Sequence, residues 1–207
     1  MRRHLVIFAR APQLGRVKRR LAEGLGATAA ARFYRATLAR QIRCLARDSR
    51  WTVWLFVTPD GSLGHAAWRD VARSRVIAQG QGDLGQRMKR PFRLLPAGPV
   101  VLVGSDIPAM RPRHIARAFR LLGHHDLVFG PASDGGFWLI GTRRARPLPR
   151  TLFAGVRWST PHALADTLGT IPARFSTGLA ERLDDIDDVQ DLRHYEKTVT
   201  PSEARGL

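Results

Sequence analysis

Three groups of aspartates stand out in a chain that is otherwise poor in acidic residues. Asp106 closely follows the apolar run 100–103, Asp134 lies in a Ser-Asp-Gly-Gly stretch, and residues 184–188 read Asp-Asp-Ile-Asp-Asp. Carboxylate oxygens are the ligands that Mg²⁺ and Mn²⁺ prefer, and either ion can bridge a carboxylate to a diphosphate. The pattern therefore predicts a metal-assisted phosphate site, with turn formation or helix N-capping as the alternative role for some of these residues.

A basic segment near the start of the chain offers the opposite charge. Residues 15–20 read Gly-Arg-Val-Lys-Arg-Arg and follow the first predicted strand. A glycine at a helix entrance lets the backbone approach an anion, and the free N–H groups there carry partial positive charge that Arg16 and Lys18 would reinforce. The segment matches neither Gly-x-Gly-x-x-Gly nor the P-loop pattern. We expect it to bind a diphosphate; a solvated basic surface is the alternative.

A glycine-rich loop lies in the middle of the chain, where residues 79–85 read Gln-Gly-Gln-Gly-Asp-Leu-Gly. Glycines so close together indicate a backbone that runs near a flat ligand or adopts positive φ angles. A nucleobase with its ribose would fit such a loop. The alternative is a mobile linker, in which Asp83 would cap the following helix.

Strands alternate with helices along the chain, which predicts a three-layer α/β/α domain with a mostly parallel sheet. The continuous apolar run 100–103 is typical of a strand at the centre of such a sheet, and ligands bind beyond the carboxyl ends of these strands, where Asp106 would lie. The predicted strands are 5–9, 51–58, 75–78, 100–103, 127–129, 137–141 and 173–176. The predicted helices are 16–23, 27–47, 64–73, 84–95, 112–122, 160–169 and 189–196.

Length and composition are those of a globular protein. The 207 residues predict a single domain over 1–197 followed by a flexible tail, 198–207. No apolar run approaches the ~20 residues of a membrane span, and the run that follows the basic N-terminus is too short for a signal peptide, so we expect a cytoplasmic protein. The single cysteine, Cys44, falls at apolar helical spacing and is expected to be buried.

The charge balance is unusual, because 34 lysines and arginines oppose 17 acidic residues and give a net charge of +17. Such an excess predicts attraction to polyanions, including nucleic acid. However, the arginines are spread along the whole chain, and no run of five or six like charges occurs. A solvated basic surface is therefore the favoured interpretation.

The motifs in their order resemble one family of bacterial proteins, DUF2064, also described as glycosyltransferase-A-like transferases associated with radical SAM and selenodomain or arsenosugar gene sets. The resemblance extends from Leu5 to Leu192. It rests on Phe-Ala-Arg-Ala-Pro at 8–12 with Gly-Arg-Val-Lys-x-Arg-Leu at 15–21, Gln-Gly-Asp-Leu-Gly-x-Arg-Met at 81–88, Gly-Ser-Asp-x-Pro at 104–108, Gly-Pro-Ala-x-Asp-Gly-Gly-Phe-x-Leu-Ile-Gly at 130–141, Trp-Ser-Thr at 158–160 and Asp-Ile-Asp-x-x-x-Asp-Leu at 185–192. The chain departs from the family pattern at Gln13-Leu14, Arg19 and Ile107, and Asp106 lacks a full Asp-x-Asp motif.

The resemblance implies a GT-A fold, the nucleotide-diphospho-sugar transferase architecture with a Rossmann-like nucleotide-binding half. It assigns Asp106 and Asp187 to a Mg²⁺ or Mn²⁺ ion, and Arg16, Lys18 and Arg20 to the phosphates. The other expected contacts of the nucleotide are Ala9, Pro12, Gly15, Gln81, Gly82, Asp83, Leu84, Gly85 and Ser105. The expected contacts of the sugar or its acceptor are Gly135, Gly136, Trp158 and Ser159.

Two enzymatic hypotheses and one binding hypothesis follow. The first is a transferase that moves a sugar from a nucleoside-diphosphate sugar to a small acceptor, with Asp106 and Asp134 in catalysis, Asp134 as orienting group or general base. The second is a nucleotidyltransferase that uses an NTP and a phosphorylated small molecule and releases pyrophosphate, since 15–18 and 134–136 also resemble 2-phospholactate and molybdenum-cofactor guanylyltransferases. Nucleic-acid binding ranks third. We expect a monomer or a homodimer.

Overall fold

A computed structural model describes residues 1–198 as an α/β structure built on one seven-stranded sheet. The strands are β1 (His4–Arg10), β2 (Thr52–Thr58), β3 (Val76–Ala78), β4 (Val100–Val103), β5 (Leu127–Pro131), β6 (Phe137–Thr142) and β7 (Thr177–Leu179). The helices are α1 (Arg19–Leu25), α2 (Ala27–Ala46), α3 (Leu84–Leu94), α4 (Pro112–Leu121), α5 (Ala163–Gly169) and α6 (Val189–Thr198).

The sheet has the strand order β3-β2-β1-β4-β6-β5-β7. Strand β6 runs antiparallel to β4 and β5, whereas the other neighbouring strands are parallel. The chain builds outward from β1 to β2 and β3, and then returns to place β4 on the other side of β1. The predicted three-layer, mostly parallel α/β fold is confirmed.

Helices cover both faces of the sheet, because successive side chains of a strand point to opposite faces. In β1, Leu5 and Ile7 pack into a core formed with α2 and α4, whereas Val6 packs into a core that includes residues of α3 and α5. A smaller cluster joins α1, α2, α6 and the segment before α6; its members are Leu21, Ala30, Phe33, Ile186 and Tyr195. Among residues 1–198, no helix combines the length and apolar composition that crossing a membrane requires.

Three predicted helices differ from the structure, and the one predicted over 160–169 begins only at Ala163. The helix predicted over 16–23 begins only at Arg19, because Lys18 has a φ of +47°, in the left-handed region that a right-handed helix excludes. The prediction of a helix over 64–73 is wrong, since this stretch forms only short 3₁₀ turns. One of them, Ala66–Trp68, is fixed by the Trp68 indole N–H, which donates to the Ser62 carbonyl.

The last predicted strand, 173–176, is also wrong. Strand β7 starts at Thr177, one residue after the end of the predicted stretch, because its register with β5 begins where Leu127 faces Thr177. Asp126 fixes the residue just before β7, because its carboxylate accepts a hydrogen bond from the backbone N–H of Ser176 at 2.9 Å.

Cys44, predicted to be buried, is exposed. Helix α2 buries Leu38, Ile42 and Leu45, and a residue two positions after Ile42 lies about 200° further around the helix, away from that stripe. Thr198, which was expected to begin a flexible tail, is the last residue of α6. The rest of that expected tail, 199–207, lies outside the described residues.

Candidate functional site

The loops after β1 and β4 meet at the carboxyl edge of the sheet. Strand β1 pairs in parallel with β2 on one side and with β4 on the other, so the connections leave β1 and β4 in opposite directions. Such a switch point opens a crevice at the strand ends. Residues 11–18 follow β1 and residues 104–107 follow β4, and the topology therefore brings Lys18 and Asp106 together.

Lys18 lies between two carboxylates. Its Nζ is 2.6 Å from Asp106 Oδ2 and 2.8 Å from Asp187 Oδ1, and Asp185 Oδ2 is 3.9 Å away. Only 6% of the Lys18 side chain is exposed, so solvent and salt screen these ion pairs little. The left-handed backbone of Lys18 costs about 1–2 kcal/mol, and such strain is concentrated at functional sites.

The third element of the cluster is the segment before α6. Ile186 is 2% exposed, packs against α1 and α2, and its backbone N–H donates to the Asp106 carbonyl at 3.3 Å. The residues on either side of this buried anchor, Asp185 and Asp187, both reach Lys18. Asp185 was considered only as part of the run 184–188 and was not singled out as a ligand, although the alternation Asp-Ile-Asp around one apolar residue was the signal for it.

Asp188 has a different role from Asp187. Its Oδ1 accepts hydrogen bonds from the backbone N–H groups of Gln190 and Asp191, so it satisfies free donors at the start of α6. The N-capping alternative therefore holds for Asp188. Asp187 instead faces Lys18 and Arg20, whose Nη1 is 3.4 Å from Asp187 Oδ2.

Three carboxylates of this cluster could hold a metal ion. One oxygen each of Asp106, Asp185 and Asp187 lies within 4.8 Å of the other two, and all three residues are half-buried. Anionic oxygen donors at this spacing fit a hard divalent cation. The donor set comes from two chain segments far apart in sequence, and the Asp106–Ile186 hydrogen bond holds them in contact.

The cluster shifts the protonation of its members. Burial, together with the charges of Asp106, Asp187 and Asp134, raises the pKa of Asp185 to about 7 despite the opposing effect of Lys18. Burial opposes the charge of Lys18, but Asp106 and Asp187 outweigh it and raise the pKa of this ammonium. Burial likewise opposes the charge of Asp187, yet Lys18 and Arg20 hold its pKa below the ordinary value. The negative charge of the cluster thus exceeds what Lys18 neutralises.

A cleft of about 450 Å³ extends from the cluster along the loop after β1. Its mouth carries guanidinium groups, since Arg16, Arg19 and Arg20 are exposed and line it. The other lining residues are Phe8, Ala9, Arg10, Val17, Lys18, Tyr34, Thr58, Gln79, Leu84, Gly104, Ser105, Asp106 and Asp187. A basic, polar cleft of this size beside an acidic cluster suits a phosphorylated ligand.

Two buried polar residues of this cleft were not among the predicted site residues. The Tyr34 hydroxyl lies 3.0 Å from Ser105 Oγ and also bonds the backbone of Arg10, whose N–H donates to it. Gln79 donates to the carbonyl of Phe56 at 3.0 Å and accepts from Arg87 Nη1 at 2.9 Å. Tyr34 lies within the apolar stripe of α2, so periodicity alone identifies it as a core residue.

The glycine-rich loop has mainly packing and capping contacts. Asp83 caps α3 by accepting from the Gln86 N–H, and the Gln86 side chain accepts from the Asp83 N–H. Gly85 is buried, and a Cβ there would approach Phe153 Cβ to 2.6 Å. Gln81 and Gly82 are exposed and do not line the cleft.

Two predicted contacts in the loop after β1 also lie off the cleft. Pro12 is buried and borders a separate groove with Arg35 and Arg43 of α2. Gly15 has a φ of +71°, which suits the turn before Lys18. Ala9 and Ser105, in contrast, line the cleft as expected.

A second, smaller cleft of about 190 Å³ lies on the other side of Asp106. It contains the predicted residues Asp134, Gly136, Trp158 and Ser159, and its other lining residues are Leu84, Met88, Gly104, Asp106, Ile107, Ala132, Phe137, Trp138, Thr160, Ala163 and Asp185. Asp134 is exposed and accepts a hydrogen bond from the Gly136 N–H at 2.8 Å. The two clefts share Leu84, Gly104 and Asp106.

Comparisons with known proteins extend these observations. A crystal structure of a provisionally assigned nucleotide-diphospho-sugar transferase from Desulfovibrio desulfuricans G20 is 30% identical, with a TM-score of 0.86 over 99% of this chain and 91% of that one. A cytidylyltransferase from Leptospira borgpetersenii is 15% identical, with a TM-score of 0.58 over 98% of this chain and 90% of the other.

A third similar structure is glucosyl-3-phosphoglycerate synthase from Mycobacterium tuberculosis, in complex with Mn²⁺, UDP and glucosyl-3-phosphoglycerate. It is 11% identical, with a TM-score of 0.55 over 93% of this chain and 75% of that one. The two more distant structures share the fold with this chain. No functionally curated protein matches it in sequence.

Residues 41–160 match the family described as an uncharacterised protein conserved in bacteria, DUF2064. This match covers more than half of the chain, and the Desulfovibrio protein aligns with almost all of it. The chain is therefore a member of the DUF2064 family.

Proposed function

We propose that this protein binds a nucleoside-diphosphate sugar and transfers the sugar to a small acceptor. The observation that carries the proposal is the junction of two different clefts at Asp106. One cleft is basic and polar, as a nucleotide diphosphate requires. The other is lined by aromatic rings and carboxylates, as a sugar with its hydroxyl groups requires.

In the first cleft, Arg16, Lys18 and Arg20 would bind the diphosphate. Guanidinium and ammonium groups carry a charge opposite to that of phosphate. The planar guanidinium group can also donate two parallel hydrogen bonds to phosphate oxygens. Ala9, Ser105 and Leu84 would border the nucleoside. The loop residues Gly82, Asp83 and Gly85 would then act mainly by fixing the start of α3, with Gln81 beside them at the rim.

The carboxylates of Asp106, Asp185 and Asp187 would hold Mg²⁺ or Mn²⁺. When bound, such an ion would neutralise charge on the leaving diphosphate. The residues themselves supply the rest: Lys18 and Arg20 add positive charge, and Asp106 stands between the phosphates and the sugar. Preorganised charge of this kind is commonly the largest contribution to catalysis.

In the second cleft, Phe137, Trp138 and Trp158 would pack against the apolar face of the sugar. Asp134 would orient a hydroxyl group of the sugar or the acceptor, or accept the acceptor's proton. The Asp134 side chain is exposed and lines this cleft, so it remains accessible to a ligand there. Gly135, Gly136 and Ser159 would shape the same cleft.

A nucleotidyltransferase is the second candidate, favoured by the charge of the loop after β1. Arg16, Lys18, Arg19 and Arg20 all line the first cleft and together could match the larger charge of a triphosphate. The likeness in fold to the Leptospira cytidylyltransferase supports the same alternative. The reaction would release pyrophosphate rather than a nucleoside diphosphate.

The two candidate reactions can be distinguished by their products, since sugar transfer releases a nucleoside diphosphate and nucleotidyl transfer releases pyrophosphate. The protein should be offered UDP-, GDP-, ADP- and dTDP-sugars with Mn²⁺, and its thermal stabilisation and the release of nucleoside diphosphate should be measured. NTPs with phosphorylated acceptors, assayed for pyrophosphate, form the second arm. We expect stabilisation and slow hydrolysis with at least one nucleotide sugar. Pyrophosphate release alone would favour the nucleotidyltransferase, and no response of folded protein in either arm would contradict both.

A further inference from the structure

The ammonium group of Lys18 contacts the same carboxylates that could hold a metal ion. Its two short contacts, 2.6 Å to Asp106 and 2.8 Å to Asp187, use two of its three N–H donors, and Asp185 is at 3.9 Å. Those three aspartates are also the set whose oxygens lie within 4.8 Å of one another. A metal ion and Lys18 would therefore compete for the same carboxylates.

Electrostatic repulsion and side-chain flexibility together determine whether Lys18 or the carboxylates move when a metal ion binds. A divalent cation among the three carboxylates would repel an ammonium group a few ångströms away, and the side chain's burial leaves that repulsion weakly screened. The carboxylates themselves are held by backbone packing, since Ile186 is buried between Asp185 and Asp187. Lys18, by contrast, has a flexible four-carbon side chain. The lysine is the group that can move.

The ammonium group of Lys18 could turn from the carboxylates into the first cleft. Lys18 lines this cleft together with Arg16, Arg19 and Arg20, which place positive charge around the same space. Without either a metal ion or an anion, the ammonium would gain nothing by leaving the carboxylates. A diphosphate in the cleft would supply new acceptor oxygens for it.

We propose that Lys18 is the resident cation of the acidic cluster and is exchanged for a metal ion, its ammonium group then turning to the diphosphate. This exchange rests on the proposed function and extends it, because it couples two binding events. The metal ion releases Lys18 for the diphosphate, and the diphosphate draws Lys18 away from the metal ligands. By linkage, each ligand then raises the affinity for the other by the same factor.

The strained backbone of Lys18 agrees with this role. Lys18 has a left-handed backbone conformation and directly precedes the first residue of α1. Arg20, in the first turn of α1, forms ion pairs with Asp187 and Asp188. When Lys18 leaves Asp187, the Arg20 pairs still connect α1 to the segment before α6. The exchange can therefore proceed without separating these two elements.

Mn²⁺ titration of the protein without any nucleotide tests the exchange. Lys18→Met removes the competing cation and keeps a side chain of similar length, and we expect it to bind Mn²⁺ at least about 10-fold more tightly than the unsubstituted protein. Arg32→Met, on the exposed face of α2, removes one positive charge without removing a contact of Asp106, Asp185 or Asp187 and should change the Mn²⁺ affinity less than about 2-fold. Equal or weaker Mn²⁺ binding by Lys18→Met, or no binding at all, would overturn the proposal.

A second measurement follows Lys18 itself in the unsubstituted protein, with Lys18→Met used only to assign its signal. The chain has only three lysines, Lys18, Lys89 and Lys197, so isotopic labelling of lysine gives a simple NMR spectrum in which the signal lost in Lys18→Met identifies Lys18. On saturation with diamagnetic Mg²⁺, the ε-CH₂ signal of Lys18 should shift towards that of a solvated lysine, and UDP should move it again. An unchanged Lys18 signal while Mg²⁺ binds would also overturn the exchange. Because the metal measurements use no sugar donor, their outcome is independent of whether any nucleotide sugar proves to be a substrate.

Discussion

The hydroxyl groups of Tyr34 and Ser105 lie 3.0 Å apart and join α2 to the end of β4. The same tyrosine hydroxyl accepts from the Arg10 N–H and donates to the Arg10 carbonyl or to Ser105, so it also holds the end of β1. Tyr34 is 4% exposed. One buried hydroxyl group therefore fixes both strand ends between which Lys18 and Asp106 meet.

Tyr34→Phe is expected to destabilise the protein by about 1–2 kcal/mol, because it leaves the part-buried N–H of Arg10 and the buried Ser105 hydroxyl without this partner. Urea unfolding measures the change, which corresponds to a fall in Tm of about 2–8 °C. Tyr195→Phe is the matched control: the Tyr195 hydroxyl is buried and has no hydrogen-bond partner within residues 1–198. A loss as large in Tyr195→Phe as in Tyr34→Phe would contradict this account of Tyr34.

Asp106→Asn is expected to weaken Mn²⁺ binding by about 10-fold or more, since the charge of the ligand set strongly tunes the affinity for a divalent cation. Transfer activity should fall by at least about 100-fold, as expected when a charged group at the reacting centre is lost. Asp48→Asn, which breaks a surface pair with Arg50 at the end of α2, is the control and should leave Mn²⁺ binding unchanged. Near-normal Mn²⁺ affinity in folded Asp106→Asn would exclude Asp106 as a metal ligand.

Gly135→Ala is expected to distort the loop that carries Asp134. The residue has a φ of +81°, and a Cβ would lie 2.1 Å from the backbone oxygen of Pro161, which cannot easily move. We expect a loss of about 2–4 kcal/mol in the free energy of unfolding. Gly155→Ala distinguishes the steric clash from the strain of a positive φ. Its φ is +69° and no described atom lies within 4 Å of the added Cβ, so only about 1 kcal/mol of unfolding free energy should be lost. Similar losses in the two variants would mean that the contact with Pro161 is unimportant.

The hydrogen-bonded carboxylate of Asp126 is expected to lower the free energy of unfolding when it is protonated in acid. Although burial opposes it, hydrogen bonds from Arg146 and Ser176 hold the pKa of Asp126 below its ordinary value in the folded protein. Its contribution is therefore complete above the unfolded-state pKa, near ~3.9, and is lost as the pH falls through the lower folded-state pKa. The unfolding free energies of the unsubstituted protein and Asp126→Asn should differ at pH 7 and converge below pH ~4. A difference that stays constant between pH 7 and pH 3 would contradict this role.

The sheet was largely predictable because its signals are local. Continuous apolar runs such as 100–103 and the alternation of strands with helices follow from residue order alone. The direction of β6 could not be predicted, since a strand's residue pattern does not say which neighbour it pairs with or in which direction. The late start of α1 was not predictable either, because the positive φ of Lys18 is sustained by contacts with Asp106 and Asp187, far away in the sequence.

The site was predictable in its charges and less so in its geometry. Lys18, Asp106 and Asp187 come together as expected, because strand ends converge at the switch point. Within the run 184–188, Asp185 was not singled out as a ligand, since only the burial of Ile186 reveals that both neighbouring carboxylates face the cluster. The glycines after Gln79 suggested a nucleobase contact, yet Gly85 is required by packing against Phe153, which sequence spacing cannot indicate.

A crystal structure of the protein soaked with Mn²⁺ and UDP, with the metal located by anomalous scattering, would test the proposed site at atomic detail. We expect one Mn²⁺ ion bound by oxygens of Asp106, Asp185 and Asp187, with the UDP diphosphate between this ion and the side chains of Arg16 and Lys18. A manganese ion elsewhere, or a UDP molecule bound away from Lys18 and Asp106, would contradict this expectation.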